Sequence, residues 1–319
     1  MDSESKQMPE IDAMRTPEAC FSALPDFPWQ PQYCDDLPGY EGLRMARIDE
    51  GPKDADRVFL CLHGQPSWSF LYRHMIPVFL ETGARVVAPD LFGFGRSDKP
   101  VDDAVYTFNW HRQSLIALLT ALDLQNVTLV VQDWGGILGL TIPMAHPEPF
   151  DRLLVMNTVL GLGGGSSEGF EAWKAFHRDE PDHDLVTLFR TYVPGISDAA
   201  AAAYAAPFPD ARYRAGARRF PFLVMTEPEM EGVDISRRAA KWWSQAWQGD
   251  GFMAVGCQDK LIPPRLMGRM RDILAIKRPV LELADAGHFV QEHHGAQVAR
   301  AALAAWETAP GASLEEATD

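Results

Sequence analysis

The four cysteines of this chain, Cys20, Cys34, Cys61 and Cys257, stand far apart and never as a CxxC pair. That argues against a zinc ribbon, a redox dithiol or a disulfide framework. They are read as reduced, with Cys61 and Cys257 as small apolar residues inside strands. Metal-ligand spacing is equally scarce, since the nine histidines include no HExxH pair, and no metal or cofactor is expected. No apolar run reaches the ~18 residues needed to cross a bilayer. The first fourteen residues are polar and acidic, without the basic-then-apolar order of a signal peptide, so a cytoplasmic location is expected. Positive charge is also in short supply. Lys and Arg number 29 against 44 Asp and Glu, a net charge of −15, which repels duplex phosphate and anionic lipid and excludes nucleic acid and membrane as expected partners. Nor is there an internal repeat of fixed period.

What is present is an ordinary globular composition, 46% hydrophobic and 23% charged over 319 residues. That length allows two domains, or one core with a large insertion. Short apolar runs bounded by Gly, Pro or Asp predict buried strands at 58–62, 85–88, 127–131 and 153–156, with further strands at 252–256 and 280–283. Helical periodicity fills 70–82, 109–122 and 135–145 between them, and a final helix is expected over 291–306. This alternation predicts a mostly parallel central sheet flanked by helices, with an antiparallel strand at 43–49. Between 157 and 251 the alternation stops. A structureless loop of that length is rare, and helices are expected at 169–176, 184–192, 199–206 and 235–247. The predicted organisation is a core over 1–157, a helical cap over 158–230 and the rest of the core over 231–319. The glycine run 161–165 reads as a hinge or flexible entry, and residues 1 to about 15 and 309–319 as frayed tails.

The most informative segment is Val127–Gly136, VTLVVQDWGG, a strand breaking into a helix through a tight turn. Such a turn presents its apex residue at the carboxyl edge of the sheet. Serine holds that position in esterases; here it is Asp133. A carboxylate displaces a leaving group from saturated carbon and becomes an alkyl ester, whereas serine needs a carbonyl to attack. The bland reading of Asp133 is a helix N-cap. Two companions favour chemistry. His288, in DAGHF after the last strand, is a candidate base. Asp259, in GCQDKLIPP after the strand at 252–256, is a candidate acid to orient it. Asp285 and Asp151 are rivals for that acid. The chain order nucleophile, acid, histidine is that of α/β-hydrolases. In HGQPSW, after the second strand, the backbone N–H of Gln65 is placed to form an oxyanion hole with that of Trp134.

At this point the chain resembles the haloalkane dehalogenases, in particular their first subfamily. The likeness runs from about Arg15 to Trp306 through HGQPSW, APDLFGFGRSDKP, VVQDWGG, AYAAPFPD, GCQDKLIPP and DAGHFVQE. It implies an α/β-hydrolase fold with an inserted helical cap, Asp133 as nucleophile, His288 as base, Asp259 as acid, and Trp134 with Trp173 as halide-binding pair. It also implies pocket walls at Phe170, Tyr192, Phe220, Val224, Leu261 and Ile262. The expected partners are a small haloalkane and a halide ion, and the expected assembly is a monomer or weak homodimer. Gln65 departs from a close relative's glutamate, and Tyr192 from its tryptophan. Two indole N–H groups suit a departing halide on independent physical grounds, because they stabilise the ion in an apolar cavity without a full positive charge. An epoxide hydrolase would share the aspartate and histidine but needs acidic donors, normally two tyrosines, for which Tyr192, Tyr204 and Tyr213 are candidates. A non-catalytic ligand-binding protein of the same fold is the remaining alternative.

Overall fold

The computed structural model describes residues 11–308. Eight strands form its main sheet: β1 (Gln32–Cys34), β2 (Met45–Glu50), β3 (Val58–Leu62), β4 (Arg85–Pro89), β5 (Val127–Gln132), β6 (Phe150–Met156), β7 (Asp250–Gly256) and β8 (Leu281–Leu283). Their spatial order is β8-β7-β6-β5-β3-β4-β2-β1. Strand β2 pairs antiparallel with β1 and β4, as expected for the run at 43–49. Every other pairing in the sheet is parallel. The central strands β3 and β5 are buried along their whole length, which is why they read as unbroken Val/Leu runs rather than as alternating patterns.

The core helices before the sixth strand are α1 (Ile76–Leu80), α2 (Phe108–Leu122) and α3 (Trp134–Gly139). Thr107 starts α2 by accepting the Trp110 N–H at 3.2 Å. Two expected helices are shorter than their periodicity suggested. The 70–82 segment is a 3-10 turn at Ser69–Tyr72 followed by α1, because Pro77 in the first turn of α1 has no N–H to continue an earlier helix. The 135–145 segment ends at Gly139. Pro143 disfavours helical backbone at the residue before it, and the Arg112 guanidinium takes the Thr141 carbonyl at 2.9 Å.

Between β6 and β7 the chain is helical: α4 (Glu168–Asp179), α5 (Leu185–Tyr192), α6 (Asp198–Ala205), α7 (Ala215–Arg219) and α8 (Val233–Gln245). Ser167, Asp184 and Ser197 cap α4, α5 and α6 through their side-chain oxygens. The glycine run 161–165 is not a free hinge: Gly163 and Gly165 donate to the Met225 and Thr226 carbonyls at 3.2 and 2.9 Å. Helix α8 is tied to the end of α3, where the Trp243 indole N–H donates to the Leu140 carbonyl at 2.7 Å. Helices α9 (Pro264–Ile273) and α10 (Gln291–Glu307) complete the fold. A buried Arg73–Glu292 pair, joined by the Tyr204 hydroxyl, ties the loop before α1, α10 and α6 together. Removing one partner of such a pair leaves an uncompensated buried charge and is strongly destabilising.

Two further expectations need correction. Residues 11–15 are ordered rather than frayed: Ala13–Met14 pairs antiparallel with Lys99–Pro100, and Arg15 grips Asp98 with two hydrogen bonds of 2.8 and 2.9 Å. The remaining tail expectations fall on 1–10 and 309–319, outside the described residues. Cys61 is buried in β3 as expected, but Cys257 lies just past β7 and is only partly covered. Among the described residues, no helix is long and apolar enough to cross a membrane.

Candidate active site

Strand β5 delivers Asp133 to the carboxyl edge of the sheet, and the turn there is strained: Asp133 has φ 50° and ψ −127°, a region non-glycine residues rarely occupy. Four backbone bonds hold it. Its N–H donates to the Asn157 carbonyl at 3.0 Å, and its carbonyl accepts from Thr158 Oγ1 and from the Gly136 and Ile137 N–H groups. Close packing explains the glycines around it. A Cβ on Gly135 would overlap the Leu62 carbonyl, and one on Gly64 would overlap the Asp133 carboxylate. The bland reading fails in one respect: the Asp133 side chain makes no capping bond to α3. Its Oδ1 instead accepts the Gln65 backbone N–H at 2.8 Å.

His288 sits between two carboxylates. Its Nδ1 is 2.8 Å from Asp259 Oδ2, and its Nε2 is 3.4 Å from Asp133 Oδ2 without the alignment of a hydrogen bond. Such contacts are often long before substrate binds. The Asp259 carboxylate is fully buried and fully partnered: Oδ1 accepts the Leu261 and Ile262 N–H groups at 2.8 and 3.1 Å, and Oδ2 also accepts Asn157 Nδ2 at 2.8 Å. Burial alone would raise its pKa, but His288 and these donors outweigh it, and the net shift is downward. For His288, burial pushes the pKa down, yet Asp259 and Asp133 prevail and hold it up at about 10. The rival acids lie elsewhere. Asp285 is exposed and pairs with His294 at 3.2 Å, and Asp151 pairs with Arg57 at the surface.

Asp133 and His288 open into a cavity of about 260 Å³. Gln65, Trp134, Phe170, Trp173, Tyr192, Val224, Leu261 and Ile262 line it, so all but one of the expected pocket residues meet there. Phe220 is the exception. It is fully buried behind the cavity with its ring 4.6 Å from Trp134, and Pro221 takes the lining place. Neither the Trp134 nor the Trp173 indole N–H has a protein acceptor among the described residues, whereas those of Trp68 and Trp243 are engaged by the Ala203 and Leu140 carbonyls at 3.2 and 2.7 Å. The Trp173 ring meets the Tyr192 ring edge-on at 5.1 Å. Of the three tyrosines weighed as acid donors, only Tyr192 lines the cavity, and the Tyr204 hydroxyl is committed to Glu292 at 2.8 Å. Ser167 anchors α4 to this edge, since its hydroxyl donates to the Leu261 carbonyl at 2.9 Å and accepts the Phe170 N–H at 3.0 Å.

Sequence reasoning missed four residues. Asn157 follows β6, and its carboxamide clamps Asp259 and takes the Gly256 N–H at 2.8 Å. His177 lies four residues after Trp173 on α4, a spacing visible in the sequence that puts the two on one face of the helix. Arg265 and Arg269, also four apart, line the outer part of the cavity from α9, a helix the sequence reading did not place.

Comparisons with known proteins give the family. The alpha/beta hydrolase fold family matches residues 57–295. The haloalkane dehalogenase of Psychrobacter cryohalolentis is 39% identical over 297 residues, covering 90% of this chain and 95% of that protein. The haloalkane dehalogenase of Mycolicibacterium paratuberculosis is 37% identical, covering 94% and 99%. Among solved structures, the tetrameric haloalkane dehalogenase DpaA of Paraglaciecola agarilytica NO2 superposes with a TM-score of 0.90 at 49% identity, covering 92% of this chain and 98% of that one. A cavity with an aspartate at the elbow and two unengaged indoles, together with identity of this extent over nearly the whole length, places the chain in the haloalkane dehalogenase family of the α/β-hydrolase fold.

Proposed function

We propose that Asp133 displaces halide from a short haloalkane and that His288, oriented by Asp259, hydrolyses the resulting ester. The family is that of hydrolases acting on carbon–halide bonds. The observation that carries the site assignment is the meeting, in one small cavity, of the Asp133 carboxylate, the His288 imidazole and the Trp134 and Trp173 indoles, with the buried Asp259 behind His288 at 2.8 Å. In the first step an Asp133 oxygen bonds to the substrate carbon, and the carbon–halogen electron pair leaves with the halide. The two indole N–H groups receive the ion in surroundings otherwise walled by Phe170, Val224, Leu261 and Ile262. Water then attacks the ester carbonyl carbon while His288 takes its proton, and the oxyanion is held by the Gln65 and Trp134 backbone N–H groups. Alcohol, halide and a proton are the products.

The electrostatics of the pair suit this order. With Asp133 ionised, His288 is held protonated at neutral pH, and an ionised carboxylate needs no base to attack. Ester formation removes the Asp133 charge, one of the groups that raise the His288 pKa, so the imidazolium can release its proton to solvent, the proton counted among the products, and then take one from the attacking water. The cavity tyrosines argue against the epoxide hydrolase alternative, which needs two donors where one is present.

Residues 158–230 are proposed as the helical cap over the carboxyl edge, with 1–157 and 231–319 as the core, and a cytoplasmic location is proposed with them. A monomer or weak homodimer is the proposed assembly; light scattering showing the mass of four chains would overturn it. The functional reading is tested by incubating the protein with 1,2-dibromoethane and, in parallel, with an epoxide. Bromide and 2-bromoethanol are expected from the first and no diol from the second. Diol without bromide release would reverse the assignment.

A further inference from the structure

We infer that the Gln65 carboxamide and the His177 imidazole form a positioning pair, uncharged by construction, that fixes the Trp173 indole beside the Asp133 cavity. The inference rests on the proposed role of Trp173 as a halide donor. Gln65 faces two ways. Its backbone N–H holds Asp133 Oδ1 at 2.8 Å, while its side chain crosses to the helical insertion, where Nε2 donates to the Ala217 carbonyl at 3.0 Å and lies 3.3 Å from His177 Nε2. His177 is one turn after Trp173 on α4. Its Nδ1 is 3.0 Å from the Trp173 carbonyl, and its ring lies 4.1 Å from the indole. Both residues are buried, at 4% and 1% exposure.

The donors and acceptors admit one consistent arrangement. The Ala217 carbonyl can only accept, which fixes the Gln65 nitrogen on that side. A carboxamide nitrogen can only donate, so His177 Nε2 must accept and its Nδ1–H must donate to the Trp173 carbonyl. His177 is therefore neutral in a single tautomer. Its surroundings agree. Gln65 and the Ala217 carbonyl approach from outside α4, and the His183 ring lies 4.7 Å away with its backbone held by Arg214. His177 makes no ion pair with any carboxylate among the described residues, and burial pushes its pKa down to about 4. Trp173 is thus held through its own backbone carbonyl, by the tilted neutral ring of His177 and by the Tyr192 ring edge-on, and its indole N–H has no protein acceptor among the described residues.

Gln65→Glu is the direct test, because it preserves shape while introducing one titratable proton between residues 65 and 177. Whichever partner holds that proton, losing it leaves a net negative charge beside the halide position. Bromide titrations followed by tryptophan fluorescence quenching, from pH 5.5 to 8.5, should therefore show affinity in Gln65→Glu falling roughly tenfold as pH rises. The parent should stay flat over the same range. A variant profile superimposable on the parent's would overturn the inference. His177→Ala, which removes both the ring beside the indole and the acceptor facing Gln65 Nε2, is expected to weaken bromide binding about tenfold at every pH, and an affinity in that variant equal to the parent's would also overturn the inference. If the parent itself shows no saturable bromide quenching, the halide role of the indoles fails first, and the inference fails with it.

Discussion

Asp133→Ala is expected to release no bromide from 1,2-dibromoethane above the rate in buffer, a loss on the order of 10⁴-fold or more in kcat/KM. The magnitude follows from the site having no second group able to do the same work. Of the carboxylates near the cavity, Asp259 is sealed against His288, Asn157 and two backbone donors. The fold should survive, because the Asp133 side chain caps no helix and its single side-chain bond is to the Gln65 N–H. An alanine at φ 50° costs about 1–3 kcal/mol, so Asp133→Asn, similar in shape and equally unable to form the ester, is the companion variant. Circular dichroism separates lost chemistry from lost structure. Turnover retained by both variants would remove Asp133 from the mechanism.

His288→Gln should behave differently. Bromide release is expected to proceed to one equivalent per active site and then stop, with steady-state turnover reduced about 10³-fold or more. The asymmetry comes from the charge states: alkylation starts from an ionised carboxylate, whereas hydrolysis of the ester needs a proton acceptor beside the attacking water. Glutamine retains a polar group between Asp259 and Asp133 but cannot take that proton. A stopped-flow halide assay reads burst and steady state in one trace. Absence of the burst, with slow turnover throughout, would mean that His288 assists the first step and that no ester accumulates.

The sheet was legible because its central strands are covered on both faces, so their apolar runs are continuous. Val58–Leu62 and Val127–Gln132 emerged nearly at their true boundaries for that reason. Gln32–Cys34 and the Ala13–Met14 ribbon did not, being short edge pairings with little apolar surface to reveal them. Asp133 was legible because it sits where a buried strand ends against small residues, the glycines at 64 and 135 being required by actual overlaps, and His288 because it follows the last strand directly after a glycine. Trp173 could be named only through the family resemblance, since nothing in its own segment distinguishes a cavity indole from a packed one. Asn157, His177 and the place of Phe220 depend on which side chains face one another across separate elements. Periodicity along one chain carries no such information, so these were visible only once β6, α4 and the loop after β3 had been brought together.

The claim that most of this depends on is that the alcohol oxygen comes first from the protein and only later from water. With enzyme in excess over substrate, one turnover in H₂¹⁸O should yield alcohol carrying ¹⁶O and leave ¹⁸O in the peptide containing Asp133, both read by mass spectrometry. Alcohol already carrying ¹⁸O after that single turnover, with an unlabelled Asp133 peptide, would mean that water attacks the carbon directly and would contradict the ester mechanism.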